Sequence, residues 1–334
     1  MRVTWIKALL CAAALGPALT ACAPSLNAAD RVTPVVAPAV CTSANSSMNV
    51  VAHEDDDLLF MNPPTYLDVA AGRCLTTVYL TAGDDGQSAS YWHGREDGAM
   101  AAYAKMAGKT SSWATTKLQT ASDQAAVTRT LNGTHIRLIF LRLPTGSPGG
   151  RAIHHYESLS KLHAGTITTV HAVDGSAAYT SASLRATLTG FMTTFHPGVI
   201  RTLDYTDPYG DGDHADHHNA AYYTYEAQRD YTTPHRLQGF RGYSMTRLPA
   251  NQSDAVAERK LAIFLAYSAH DSHVCQTAAA CRHDRRYWRW MFRTYQVSGP
   301  PAPSVATAQT LARPHLAEDP CRYAACLRTF ALDR

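Results

Sequence analysis

Short apolar runs alternate with amphipathic stretches along most of this chain, and that alternation sets the expected architecture. Met48-Asn49-Val50-Val51-Ala52 reads as a short buried strand. Leu75 to Leu80 reads as a second, ending in Thr81-Ala82-Gly83, and Ile136 to Leu143 as a third, stopped by Pro144 and Gly146. Val199 to Leu203 is another. Between them lie helical patterns. Arg95 to Ala107 has helical composition, with Met100, Tyr103 and Met106 or Ala107 on one face. In Ser183 to Phe195, residues Leu184, Leu188, Phe191, Met192 and Phe195 fall on one stripe, and Pro197-Gly198 ends it. Asn219 to Gln228 and Ala255 to Tyr267 read as further helices. In Tyr287 to Val297, Trp288, Trp290 and Phe292 alternate with Arg289, Met291 and Arg293, the period of a strand. Strands that alternate with helices predict a mostly parallel α/β sheet, whose ligands sit beyond the carboxyl ends of its strands.

The start of the chain has a different logic. Arg2 and Lys7 precede an apolar stretch from Ala8 to Leu19, too short for a stable membrane span, which ends in Leu19-Thr20-Ala21-Cys22. This resembles a bacterial lipobox: residues 1–21 as a signal peptide, Cys22 as the lipidated first mature residue, and ordinary cleavage nearby as the alternative. Residues 22–44, rich in Ala, Pro, Val and Ser, read as a tether, residues 45–298 as the catalytic domain and 299–334 as an extension. The expectation is an exported protein of the cell envelope, held to the membrane through the lipid. Beyond Cys11 and Cys22, the six cysteines then read as disulfides in an oxidising compartment. Close spacing favours Cys275–Cys281 and Cys321–Cys326, which leaves Cys41–Cys74. A formal charge of +3 over 334 residues gives no argument for nucleic acid as a partner.

Two clusters carry chemistry, and each follows a predicted strand: His53-Glu54-Asp55-Asp56-Asp57 and His214-Ala215-Asp216-His217-His218. Hydrolysis by zinc needs about three protein ligands with an open position for water, a separate base, and a donor for the oxyanion. His53 and Asp56 are spaced to lie on one face at a helix start, so one imidazole and one carboxylate can reach the same ion. His217 can supply a third ligand. Asp55, beside a ligand, can reach the attacking water. His214 can act on the substrate oxygen or the leaving nitrogen, and Asp216 can hold it by its other ring nitrogen, raise its pKa and keep it charged. An acidic run is more often a solvated helix start than a site; the adjacent histidine and buried strand argue against that here. Asp211-Gly212-Asp213 reads as a turn that delivers His214, because a calcium loop would need glycine where Asp216 stands. His218 reads as structural, Asp84 and Asp85 as site lining or surface turn, and His154, His155 and His163 as surface residues.

The pair of clusters resembles the LmbE-like deacetylases, the PIG-L family. Their signatures are Ala-His-Pro-Asp-Asp-Glu after the first strand and His-Pro-Asp-His much later. Here the first reads Ala52-His53-Glu54-Asp55-Asp56-Asp57, and the resemblance spans roughly residues 48 to 297. It implies a Rossmann-like three-layer α/β/α sandwich with a mostly parallel sheet. It implies one zinc ion on His53, Asp56 and His217, with Asp55 as general base, His214 as the charged group facing the transition state, and Arg95 as a substrate contact. It also implies a reaction that frees an amine from an N-acetylated amino sugar or glycan. Glu54, Asp57 and Ala215 depart from the family pattern, at positions assigned neither to metal nor to base. Iron or cobalt suits the same donors. A glycan-binding lipoprotein without turnover, or an amidase for a non-sugar acyl amide, are the rival readings.

Overall fold

The computed structural model describes residues 40–121 and 123–302. The expected signal peptide, Cys22, the expected tether up to residue 39, the expected Cys321–Cys326 pair and the expected extension from residue 303 lie outside the described residues. Disulfides join Cys41 to Cys74 and Cys275 to Cys281.

The chain opens with β1 (Ser46–Val51), buried along its whole length, which runs through a tight turn into α1 (Asp56–Phe60) and α2 (Pro64–Ala70). After β2 (Cys74–Thr81) comes the long α3 (Ala89–Met106). The hairpin β3 (Trp113–Gln119) and β4 (Ala125–Leu131) leads to β5 (Ile136–Leu143). Then follow α4 (Leu159–His163), the small hairpin β6 (Val170–His171) and β7 (Ala178–Tyr179), and α5 (Ser181–Phe195). β8 (Val199–Leu203) feeds α6 (Ala215–Arg229), and β9 (Arg236–Phe240) feeds α7 (Asp254–Ser268). Two short helices, α8 (Ala278–His283) and α9 (Arg285–Met291), precede β10 (Gln296–Val297). Among the described residues no helix is long and apolar enough to cross a membrane.

The main sheet has the order β10-β9-β8-β1-β2-β5-β4-β3. β9, β8, β1, β2 and β5 are parallel, and β10, β4 and β3 add antiparallel edges. The strand alternation sorts side chains into two cores. Met48, Val50, Val78, Leu80, Ile139 and Leu141 pack against Leu184, Leu188 and Phe191 of α5 on one face. Val51, Leu75, Tyr79, Leu138 and Phe140 pack with Ala99, Tyr103, Leu261 and Phe264 of α3 and α7 on the other. Two helical layers thus enclose one mostly parallel sheet, the predicted three-layer sandwich. The chain leaves β1 toward β2 on one side, while β8 returns on the other. The crevice beyond the carboxyl ends of β1 and β8 is therefore the switch point where such sheets bind ligands.

Two expectations differ from the structure. α3 begins at Ala89, a full turn and more before Arg95, so that Arg95 lies inside the helix rather than opening it. Residues 285–291 form a helix, not a strand. The Asp284 carboxylate caps it by accepting from the Arg286 backbone N–H at 2.9 Å, and the buried stripe is Tyr287, Trp290 and Met291 at helical spacing.

Candidate functional site

The backbone leaving β1 makes one turn before α1 begins, and that turn is built around the Asp56 carboxylate. Its Oδ2 accepts the backbone N–H groups of Ala52 at 3.1 Å and His53 at 2.7 Å. Oδ1 is left to face two imidazoles, His53 Nδ1 at 3.4 Å and His217 Nε2 at 3.0 Å. Burial pushes the Asp56 carboxyl up, but His217 and His53 together hold it well below the usual carboxylate range.

α6 brings the second cluster. His214 is its N-cap, and the ring Nδ1 accepts the Asp216 backbone N–H at 3.1 Å. His217, one turn in, donates Nδ1–H to Asp213 Oδ1 at 2.7 Å, which turns Nε2 toward Asp56 and His53. That Nε2 is buried and has no partner in hydrogen-bonding geometry. One donor atom from each of His53, Asp56 and His217 lies within 4.8 Å of the others. Two imidazoles and a carboxylate suit a divalent transition cation, and an orphaned, buried Nε2 is a donor suited to one. The sequence-predicted trio is therefore brought together, and its donor set fits a metal. His53, His214 and Asp216 also cluster within the same limit. There, however, the His214 Nδ1 lone pair is already used by backbone, and Asp216 Oδ2 accepts from Thr145 Oγ1 at 3.0 Å and the Gly146 N–H at 3.1 Å.

Asp216 does not hold His214 as expected. Its Oδ2 stands 3.7 Å from His214 Nδ1 and is nearer to His53 Nε2, at 3.5 Å. Burial, with His53 adding repulsion, pushes the His214 imidazole down to about 3. A ring whose Nδ1 accepts from backbone carries its proton on Nε2, so His214 is a neutral donor rather than a fixed cation. Its ring meets that of His53 edge-on, with centroids 4.7 Å apart.

Asp55, the N-cap residue of α1, accepts from Arg95 Nη2 at 2.8 Å. Burial raises the Asp55 carboxyl against the pull of Arg95. Arg95 itself is buried, with its other nitrogens engaged by Gly83 O at 2.7 Å and the Tyr267 hydroxyl at 2.7 Å. It thus lies among protein acceptors rather than presented to a substrate. Glu54 is fully buried beside it, 3.5 Å from Nε, and burial pushes its carboxyl up to about 8. Asp57 faces the helical layer instead and accepts from the Tyr103 and Tyr79 hydroxyls; burial pushes it up to about 7. His218 is held by Asp211 at 3.0 Å and has a structural place. Asp84 accepts from His154 at 2.7 Å and Asp85 from Arg151, while His163 is held against Glu226 at 3.1 Å. Of the three histidines expected at the surface, only His155 is exposed.

The groups that sequence reasoning passed over are Asp213, Thr145, Gly146, Tyr267 and Asp271. Asp213 had a readable signal, since it stands four residues before His217 at a helix start. The others come from distant loops and helices and had none.

A family model described as PIG-L, GlcNAc-PI de-N-acetylase, matches residues 48–228. No curated protein matches the chain. Solved structures similar to it include a conserved protein, TT1542, from Thermus thermophilus, at 15% identity over 77% of this chain and 95% of that one, with a TM-score of 0.42. The zinc-inhibited form of teicoplanin deacetylase Orf2 is 11% identical over 72% of this chain and 90% of that one, TM-score 0.42. The 4-carboxy-2-hydroxymuconate hydratase GalB from Pseudomonas putida is 14% identical over 74% of this chain and 82% of that one, TM-score 0.40.

Proposed function

This chain belongs to the PIG-L family, and from that premise we propose that it is a metal-dependent N-deacetylase that removes an acyl group from an amino sugar. One observation carries the reading. His53, Asp56 and His217 converge on one point, while Asp55 on the same turn stays outside the trio and His214 faces it from the cap of α6. A cation held by that trio would polarise the amide carbonyl and acidify the attacking water. We assign zinc, with iron or cobalt as the other cations such donors admit.

The protein groups divide the remaining work. Asp55 Oδ1 is engaged by Arg95, so the second carboxylate oxygen takes the proton of the attacking water. Burial raises the affinity of Asp55 for that proton. His214 donates Nε2–H to the developing oxyanion. Because its Nδ1 lone pair is tied to backbone, His214 keeps its proton, and the one on Asp55 goes to the departing amine. Asp213 fixes the tautomer of His217. The substrate class we propose is an N-acetylated amino sugar or glycan. Export with a lipid on Cys22 completes the proposal. The disulfides Cys41–Cys74 and Cys275–Cys281 support an oxidising compartment for it.

Asp55→Ala should retain metal by elemental analysis and lose acetate release by roughly 10²–10⁴-fold. The substrates to screen are N,N′-diacetylchitobiose and N-acetylglucosaminyl-phosphatidylinositol. His217→Ala should lose the metal. A variant at Asp55 that keeps its full rate, or at His217 that keeps its full metal content, refutes the corresponding role.

A further inference from the structure

Arg95 is placed in part by residues that come from outside the segment matched by the family, Tyr267 and Asp271. Its Nε points at α7 and the turn after it. The Tyr267 hydroxyl accepts from Nε at 2.7 Å, and Asp271 Oδ2 lies 3.3 Å away. Tyr267 in turn donates to Asp271 Oδ2 at 2.6 Å, and Tyr91 donates to Oδ1 at 3.1 Å. Glu54 Oε2 is 3.5 Å from the same Nε. On the other side of the guanidinium, Nη1 donates to Gly83 O and Nη2 to Asp55 Oδ1. The clamp is buried: Asp271 is 1% exposed, Tyr267 and Glu54 0%, and Arg95 8%.

Room for this arrangement is made by absent side chains. Gly83 has a φ of +55°, and a Cβ there would run into Glu54 and the Arg95 guanidinium. A Cβ on Gly98 would meet the Tyr267 ring and carbonyl at 2.8 Å, so the close approach of α3 to α7 depends on that glycine. A guanidinium is planar with its donors in a fixed fork, so holding Nε and Nη1 fixes where Nη2 points. It points at Asp55.

We propose that Arg95 is a positioning residue for the base Asp55, clamped from behind by Tyr267 and Asp271, and that it does not bind substrate. This rests on the reading of Asp55 as the base. Three acidic side chains, Asp55, Glu54 and Asp271, crowd this one guanidinium. Residues 254–271, beyond the family match, then form part of the catalytic apparatus rather than a structural annex.

The first test does not need turnover. In the ¹⁵N-labelled full chain, a clamped guanidinium gives separate, slowly exchanging Nη–H resonances for Arg95. Asp271→Asn and Tyr267→Phe should merge them and speed their exchange. A single averaged Nη signal in the wild type would overturn the clamp. The second test is kinetic, on N,N′-diacetylchitobiose. Tyr267→Phe should lower kcat about tenfold, with KM within twofold and the metal content unchanged. Arg95→Lys should restore part of the larger kcat loss seen in Arg95→Met. A tenfold rise in KM with kcat retained in Arg95→Met would return Arg95 to substrate binding and overturn the inference. It would leave Asp55 as the base untouched, since only Asp55→Ala at full rate removes that role.

Discussion

At the scale of single residues, the site is a set of side chains with one atom tied down and one atom left over. His217 shows this most clearly. Asp213 Oδ1 holds its Nδ1 at 2.7 Å and also accepts the backbone N–H groups of His214 at 2.9 Å and Tyr243 at 3.1 Å. The same carboxylate therefore orients a ligand, the donor His214 and the loop after β9. The interaction with His217, set against burial, holds the Asp213 carboxyl down at about 2. Partners of this kind behind metal-bound imidazoles are worth about 10–100-fold in metal affinity. Asp213→Asn keeps the shape and removes the charge. It should weaken zinc binding by about tenfold or more in competition with a chelator. Asp211→Asn, the same change at the carboxylate that holds His218, should leave zinc affinity within twofold. Equal losses in both variants would mean that Asp213 acts only through general folding of the loop.

At the scale of elements, the approach of α3 to α7 decides whether the buried arginine is held. Exchanging a helical glycine for alanine ordinarily favours the helix by about 1 kcal/mol. At Gly190 of α5 nothing lies within 4 Å of the added carbon, so Gly190→Ala should stabilise by about that amount. At Gly98 the new carbon meets a backbone carbonyl as well as the Tyr267 ring, and a carbonyl cannot rotate aside. Overpacking costs about 1–3 kcal/mol, which exceeds the propensity gain. Gly98→Ala should therefore lower the midpoint of urea unfolding while Gly190→Ala raises it, and a rise in both would show that the two helices separate freely. How much of this was readable follows from the same contrast. The strands β1 and β8, which lead to His53 and toward the second cluster, announce themselves because both faces of the central sheet are buried there. α5 is visible because one face alone is apolar. The β3–β4 hairpin was not visible: β3 lies at the sheet edge with most of its side chains exposed, so it carries no alternation. α9 was misread because Tyr287-Trp288-Arg289-Trp290-Met291-Phe292 places apolar residues at both period two and period three to four, and only the cap at Asp284 separates the readings. His53, Asp56 and His217 were legible from local spacing. Tyr267 and Asp271 were not, because nothing in the sequence says that α7 packs where Arg95 points.

At the scale of the whole molecule, α7 is fastened to α9 and the segment after it by one buried lysine. Lys260 of α7 is fully buried, and its Nζ donates to Trp290 O at 2.8 Å, Arg293 O at 2.7 Å and Thr294 Oγ1 at 3.4 Å. It thereby adds a donor to carbonyls at the end of α9, where a helix runs short of backbone partners. Trp290 stacks on Tyr243 and meets Phe60 edge-on, and Phe60 meets His217 in the same way, so the fastening reaches the site through packed rings. Burial pushes the Lys260 ammonium down to about 7 from an ordinary value of 10.5. Below about pH 7 the lysine is protonated in both the folded and the unfolded chain, and the full cost of burying its charge is present. Between about 7 and 10.5 the unfolded chain binds more proton than the folded one, so this group makes stability rise with pH. Each pH unit inside that window is worth about 1.4 kcal/mol at most, a few kcal/mol in all. Lys260→Met lacks the slope and takes the ammonium donor away from the same acceptors at every pH. Urea unfolding of the two proteins at pH 5, 6, 8 and 10 isolates the lysine from every other group. The advantage of wild type over Lys260→Met should grow from pH 8 to pH 10 and be flat below 7. A constant difference across the series would mean that the three acceptors hold the ammonium charged throughout, and that the lysine fastens the helices as a permanent cation.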